Sequence, residues 1–246
     1  MKAIVTTTIY SVSEATKKFA KFKDWHLYIV GDTKTPHEEY INFSKNNDNV
    51  SYLSPEYQEK NFKEISDLIG WKSIQRRNIG FLQALKDGAD IIASVDDDNI
   101  PLDNWGKNLM IGKPTNVYYY ETDDIAFDPV GVTNYKKLWH RGFPIQNLHQ
   151  RNNRYKITRK TIIPDIQADF WNGDPDIDAV CRMIFKPECS FKKRLFPFFS
   201  KKISPFNSQN TLLHRKVIKD YFLFPHIGRM DDIWAAFYVT AKKYKV

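Results

Sequence analysis

Ala89-Asp90-Ile91-Ile92-Ala93-Ser94-Val95-Asp96-Asp97-Asp98 is the stretch on which the fold turns. Residues 89–95 form a nearly continuous apolar run, the pattern of a strand buried on both faces, and it ends in three carboxylates. Upstream, residues 72–87 carry Ile74, Phe81, Leu82 and Leu85 as one apolar helical stripe, and Gly88 sits where a helix C-terminal glycine belongs. Further back, residues 2–9 and 25–30 are β-branched runs, the second closed by Gly31-Asp32 as a turn, and residues 49–53 make a short third strand. Between the first two, residues 11–23 space Val12, Ala15, Phe19 and Phe22 as a helix does, with Ser11 or Ser13 as its cap. This alternation predicts an α/β fold, a mostly parallel sheet with helices on both faces.

Downstream the pattern is less regular. Residues 116–120 read as a strand, residues 210–221 and 231–244 as helices, and the polar, basic stretch 140–160 as a surface excursion or mobile loop. No internal repeat or low-complexity tract appears. The expectation is a single domain over 1–246, with a nucleotide-binding half, 1–110, and an acceptor and catalytic half, 111–246.

At 246 residues, 42% hydrophobic and 15% aromatic, the chain is too apolar to be disordered. No run approaches the ~18 apolar residues of a membrane-spanning helix. The N-terminus lacks a signal-like apolar core, and two cysteines, Cys181 and Cys189, cannot build a disulfide framework. A reduced, cytoplasmic setting is the expectation. The net charge of +8 favours an anionic partner without selecting one.

Three motifs carry chemistry. In an extended chain Asp96 and Asp98 point the same way, roughly 6–7 Å apart, and suit a hard divalent ion. Three adjacent carboxylates also repel one another, so a cation would stabilise them. Their place at the carboxyl end of a strand is where open parallel sheets bind ligands. Second, Gln75-Arg76-Arg77-Asn78 precedes that strand. Two arginines in a row fit a solvated face, although Arg77 could grip a diphosphate, and Asn78 falls on the apolar stripe, where it needs a partner. Thr6 and Thr7 end the first strand and Asp32 the second, at the edge where a nucleoside would rest. Third, Asp231-Asp232 opens a helix, either as plain dipole complementarity or as a general base.

Taken in order, these segments resemble a GT-A glycosyltransferase, a Rossmann-like fold. They look most like the group holding the reversibly glycosylated polypeptides (UDP-arabinopyranose mutases) and the STELLO-type glycosyltransferases. The matching pieces are Val5-Thr6-Thr7-Thr8, Arg77-Asn78-Ile79-Gly80, the aspartate triplet, Phe170-Trp171-Asn172-Gly173-Asp174-Pro175-Asp176-Ile177-Asp178-Ala179, Pro205-Phe206-Asn207-Ser208-Gln209-Asn210-Thr211 and Gly228-Arg229-Met230-Asp231-Asp232-Ile233-Trp234-Ala235. The resemblance implies transfer from a nucleoside diphosphate sugar, a UDP-sugar first, with inversion, to a glycan or lipid-linked acceptor. It implies Mn²⁺ or Mg²⁺ on Asp98 and Asp96. Donor contacts would come from Thr6, Thr7, Asp32, Arg77, Asn78, Asp96, Asp97, Trp171, Asn172 and Asn207. Asp232, with Asp231 as the fallback, would be the base. A nucleotide-sugar mutase using the same donor site is the alternative enzyme. A basic nucleic-acid-binding module is the alternative outside enzymes, but no nucleic-acid motif is present and no such partner is expected.

One segment is left over. Lys192-Lys193-Arg194-Leu195-Phe196-Pro197-Phe198-Phe199-Ser200-Lys201-Lys202 sets cations around large apolar side chains. It reads as peripheral contact with an anionic membrane at its inner, cytoplasmic face, or as a surface hairpin with its phenylalanines packed inward.

Overall fold

Apolar runs without alternation need cover on both faces, and such runs become the central strands here. The computed structural model describes residues 1–151 and 155–246. Its strands are β1 (Lys2–Thr8), β2 (His26–Gly31), β3 (Val50–Leu53), β4 (Ile91–Val95), β5 (Thr115–Thr122), β6 (Tyr155–Ile162), β7 (Ile166–Ala168), β8 (Phe198–Phe199) and β9 (Asn210–His214). The chain divides into two compact units, Met1–Leu109 with Ser208–Asp231, and Met110–Asn207 with Asp232–Val246.

In the first unit the strand order is β3-β2-β1-β4-β9. β1, β2, β3 and β4 are parallel, and β9 runs antiparallel to β4. Ala3, Ile4 and Val5 of β1, Leu27 and Ile29 of β2, and Ile92 and Ala93 of β4 are wholly buried, as sheets flanked by helices require. The chain lays β2 and β3 on one side of β1, then returns to lay β4 on the other. That reversal makes the carboxyl ends of β1 and β4 the switch point, where a crevice opens in α/β sheets.

Local signals set the flanking helices. Ser13 caps the helix Glu14–Phe19 by accepting from the Thr16 N–H, so of the two candidate caps Ser13 is the one used. The helix Arg77–Lys86 ends two residues before Gly88, whose φ is +86°. It lies directly on β1 and β2 at Gly80, where a Cβ would come within 2.4 Å of Val5 Cγ1 and 2.7 Å of Val30 Cγ2. The expected stripe is out of phase. Ile74 and Leu82 are exposed, while Arg77, Asn78, Ile79, Gly80, Phe81, Gln83 and Ala84 are buried. A 3₁₀ turn, Ile74–Arg76, ahead of the α-helix takes Ile74 out of line with the helix, and within the helix Leu82 falls on the solvent side next to the buried Phe81.

Residues 210–221 are not one helix. They form β9 and then a single short helix, Arg215–Ile218, because Thr211, Leu212 and Leu213 are buried in pairing with β4.

The second unit holds a sheet of order β6-β5-β8, with β5 antiparallel to β6 and parallel to β8. Arg159 and Lys160 of β6 lie over the rings of Tyr118 and Tyr119, at 3.4 and 3.6 Å from the centroids. The stretch 140–160 is therefore not a simple excursion. His140 is buried, Ile145–Gln150 is a 3₁₀ helix, and residues 155–160 belong to β6, while Asn152, Asn153 and Arg154 lie outside the described residues. Pairing with β5 turns this polar sequence into a solvated sheet face. Phe199 is buried against Val117 and Tyr119, and Phe196 and Phe198 stack on each other with their rings tilted against Phe170. No helix among the described residues is long and apolar enough to cross a membrane.

Candidate functional site

In the first unit, the sequence-predicted residues gather at the switch point. Arg77, at the start of its helix, is 1% exposed, and its guanidinium threads between the ends of β1 and β4. Nη2 donates to Asp96 Oδ1 at 2.7 Å and to Thr7 Oγ1 at 3.3 Å. Nη1 donates to the Ser208 carbonyl at 2.9 Å and to the hydroxyls of Ser94 and Ser208 at 3.2 Å. The sequence pointed Arg77 at a diphosphate; here its Nη donors end on protein oxygens, and it aligns Asp96. Its Nε is buried with no hydrogen-bond partner.

The adjacent Arg76 is not on a solvated face either. It is wholly buried, bonded to Gln58 Oε1, the Gly70 carbonyl and Ser66 Oγ, with its guanidinium 3.4 Å from the Trp71 ring centroid. Neutral oxygens and an aromatic face take the place of a counter-ion. Asn78 has the partner its position demanded: Nδ2 donates to the Leu223 carbonyl and Oδ1 accepts from the Leu223 N–H, at 2.8 and 2.9 Å.

The aspartate triplet follows β4. Asp98 is exposed, Asp96 and Asp97 partly buried. Burial pushes the Asp97 carboxyl above its ordinary value; the charges of Asp98 and Asp96 add to the rise, and a hydrogen bond from Thr8 opposes it. Such crowding of hard oxygen donors fits Mn²⁺ or Mg²⁺. These ions are commonly held by one or two carboxylates together with substrate phosphates. Among the described residues no group of three or more His, Cys, Asp or Glu side chains is arranged to hold a metal by itself.

Thr6 is buried near the end of β1, its hydroxyl 3.5 Å from the Thr7 carbonyl. Asp32 follows β2 directly, one residue past Gly31, which pairs with Thr8 in the register. Burial alone would raise its pKa, but backbone N–H groups of Ser73, Lys72 and Thr33 hold it below the ordinary carboxylate value. Asp32 therefore pins the loop that leads into the Arg76–Arg77 turn. Asp231 closes this unit in the chain, and its Oδ2 accepts from Gln75 Nε2, in the same turn, at 2.9 Å.

In the second unit, Asp232 is held by an arginine the sequence did not single out, Arg141, which also holds Asp176. Arg141 Nη1 and Nη2 donate to Asp232 Oδ1 and Oδ2 at 2.9 and 2.8 Å, and Nε and Nη2 donate to Asp176 at 2.7 and 3.0 Å. Asn207 also bonds Asp176. Burial would raise Asp176, but His140, Arg141 and Asn207 hold it low. Gly142 makes this approach possible: a Cβ there would fall 2.3 Å from Ile233 Cγ2. Asp176 lay in a motif already quoted, but nothing local marks Arg141, whose partner is 91 residues away. Trp171 and Asn172 hold a turn, Trp171 Nε1 donating to the Asp174 carbonyl and Asn172 Oδ1 accepting from the Phe191 N–H.

Curated proteins include two relatives from Arabidopsis thaliana. They are named Probable glycosyltransferase STELLO1 and Probable glycosyltransferase STELLO2, each 26% identical, over 232 and 234 residues. The chain is glycosyltransferase-like in sequence. The matches cover 86% and 87% of this chain but 29% of each relative, so it spans under a third of their length. No protein-family model matches it.

Proposed function

We propose that the protein is a GT-A glycosyltransferase, moving a sugar from a nucleoside diphosphate sugar, a UDP-sugar first, to a glycan or lipid-linked acceptor with inversion. The observation that carries this reading is the junction of Thr7, Arg77 and Asp96 at the carboxyl ends of β1 and β4, next to Asp97 and Asp98. The similarity to the two STELLO proteins supports it over most of the chain.

In this reading the acceptor hydroxyl oxygen bonds to the anomeric carbon as the bond from that carbon to the diphosphate breaks. The electron pair leaves with the diphosphate, and the acceptor proton passes to a carboxylate of the Asp231–Asp232 pair. Mn²⁺ or Mg²⁺ on Asp96 and Asp98 would supply positive charge for the leaving diphosphate. Arg77 fixes Asp96, while Thr6, Thr7 and Asp32 frame the nucleoside end. Sequence favours Asp232 as the base. Both Asp232 oxygens accept from Arg141 and one Asp231 oxygen accepts from Gln75, so whichever carboxylate takes the proton gives up a bond to do so, and Asp231 is kept as the fallback.

The test is a panel of UDP-, GDP-, CMP- and dTDP-sugars, read by thermal shift and then by nucleotide release with glycan acceptors. One donor class, UDP-sugars, should stabilise the protein and be consumed. Asp232→Asn, or Asp231→Asn if the fallback is the base, should cut turnover about 10²–10⁴-fold with donor affinity kept. A protein that no nucleotide sugar stabilises, and that consumes none, would end the proposal.

A further inference from the structure

The helix Ala179–Phe185 is built the wrong way round for a soluble surface. Of its seven residues only Cys181 is buried, while Val180, Met183, Ile184 and Phe185 are 47%, 79%, 62% and 41% exposed. Val180, Met183 and Ile184 stand at i, i+3 and i+4 and so form one face. Cys181 ties the opposite side to Leu138, Trp139 and Cys189, with Phe170 and Phe191 packed on the same cluster.

That cluster also fixes a basic turn beside the helix. Cys189 pairs with Gly173, Phe191 is held through its N–H by Asn172, and the Lys192 N–H donates to Asn134 Oδ1 at 3.1 Å. Lys192, Lys193 and Arg194 follow at once and are exposed, as is Lys186 at the helix end. Arg182 is paired with Asp174, so these four carry the positive charge of the face, against one carboxylate, Glu188, between them.

We infer that this face, the apolar side of Ala179–Phe185 with Lys186 and Lys192–Arg194, docks the protein on an anionic lipid bilayer. Large apolar side chains presented to water beside a cluster of cations match both halves of such a surface, acyl chains and charged headgroups. A nucleic acid would use the cations but leave Met183 and Ile184 without a role. The inference keeps the membrane expected from the sequence but moves the inserting residues. Phe196, Phe198 and Phe199 are packed within the unit, and the exposed apolar side chains belong to the preceding helix. It does not depend on the transferase reading.

Liposome co-sedimentation of the full chain tests it. Vesicles with about 30% phosphatidylserine should bind it at least about tenfold more strongly than pure phosphatidylcholine at low salt, and the difference should fade as salt rises. Met183→Ser with Ile184→Ser should lower binding about tenfold, and Lys192→Glu with Lys193→Glu should remove the preference for anionic vesicles. These side chains are exposed, so an unchanged melting temperature shows that the variants are folded. No binding to anionic vesicles at low salt overturns the inference, as does binding that both variants retain. A concentration-dependent dimer broken by Met183→Ser with Ile184→Ser, or binding to single-stranded RNA in place of vesicles, overturns it in favour of another occupant.

Discussion

Arg141 holds Asp232 by both carboxylate oxygens and Asp176 by both of its own, so one guanidinium serves two largely buried carboxylates. Those two charges hold the Arg141 pKa above even its ordinary high value, against the effect of burial. Arg141→Met would leave two carboxylates without their shared cation, a loss of about 3–5 kcal/mol. Arg141→Lys keeps the charge but not the fork, and should cost less. Urea unfolding of the three proteins checks the order; a Met variant as stable as wild type would show that the cluster contributes nothing.

Gly80→Ala should destabilise the first unit by about 1–3 kcal/mol, because the new methyl meets Val5 and Val30 closer than 3 Å and the helix has to lift from the sheet. Helix propensity alone predicts the opposite sign. The midpoint of denaturant unfolding distinguishes the two directly.

Asp169 gives a pH signature. Burial raises its carboxyl from 3.8 to about 6, even though Gln167 Nε2 donates to both its oxygens. Between those values the folded state keeps a proton that the unfolded state has lost, so its contribution to stability falls as pH rises through the window. Above pH ~6 the penalty is complete, near 1–2 kcal/mol once partial solvent contact is allowed for. Asp169→Asn should therefore be more stable than wild type at pH 8 and equal to it below pH 4. Parallel stability curves for the two proteins would contradict this.

The parallel strands were legible because continuous apolar runs have one common use in an α/β chain, and Gly88 and Asn78 were legible because each position makes a local demand. The phase of the Arg77 helix was not, since polarity alone sends Arg76 and Arg77 outward, whereas Gln58, Ser66, Ser94 and Ser208 await them in the interior. β9 was misread because Leu212 and Leu213 show no alternation, and only pairing with β4 makes them a strand. The aspartate triplet was visible, but the buried arginine that aligns Asp96 and the arginine that holds Asp232 are long-range facts. Their partners are 19 and 91 residues away.

The central claim is a nucleoside diphosphate held at the aspartate triplet with a divalent ion. Calorimetric titration with UDP, first in Mn²⁺ and then in EDTA, tests it most directly. The account predicts at least about tenfold tighter binding in Mn²⁺, with Asp98→Ala reduced to the EDTA value at an unchanged melting temperature. Equal affinity for UDP in Mn²⁺ and in EDTA would contradict it.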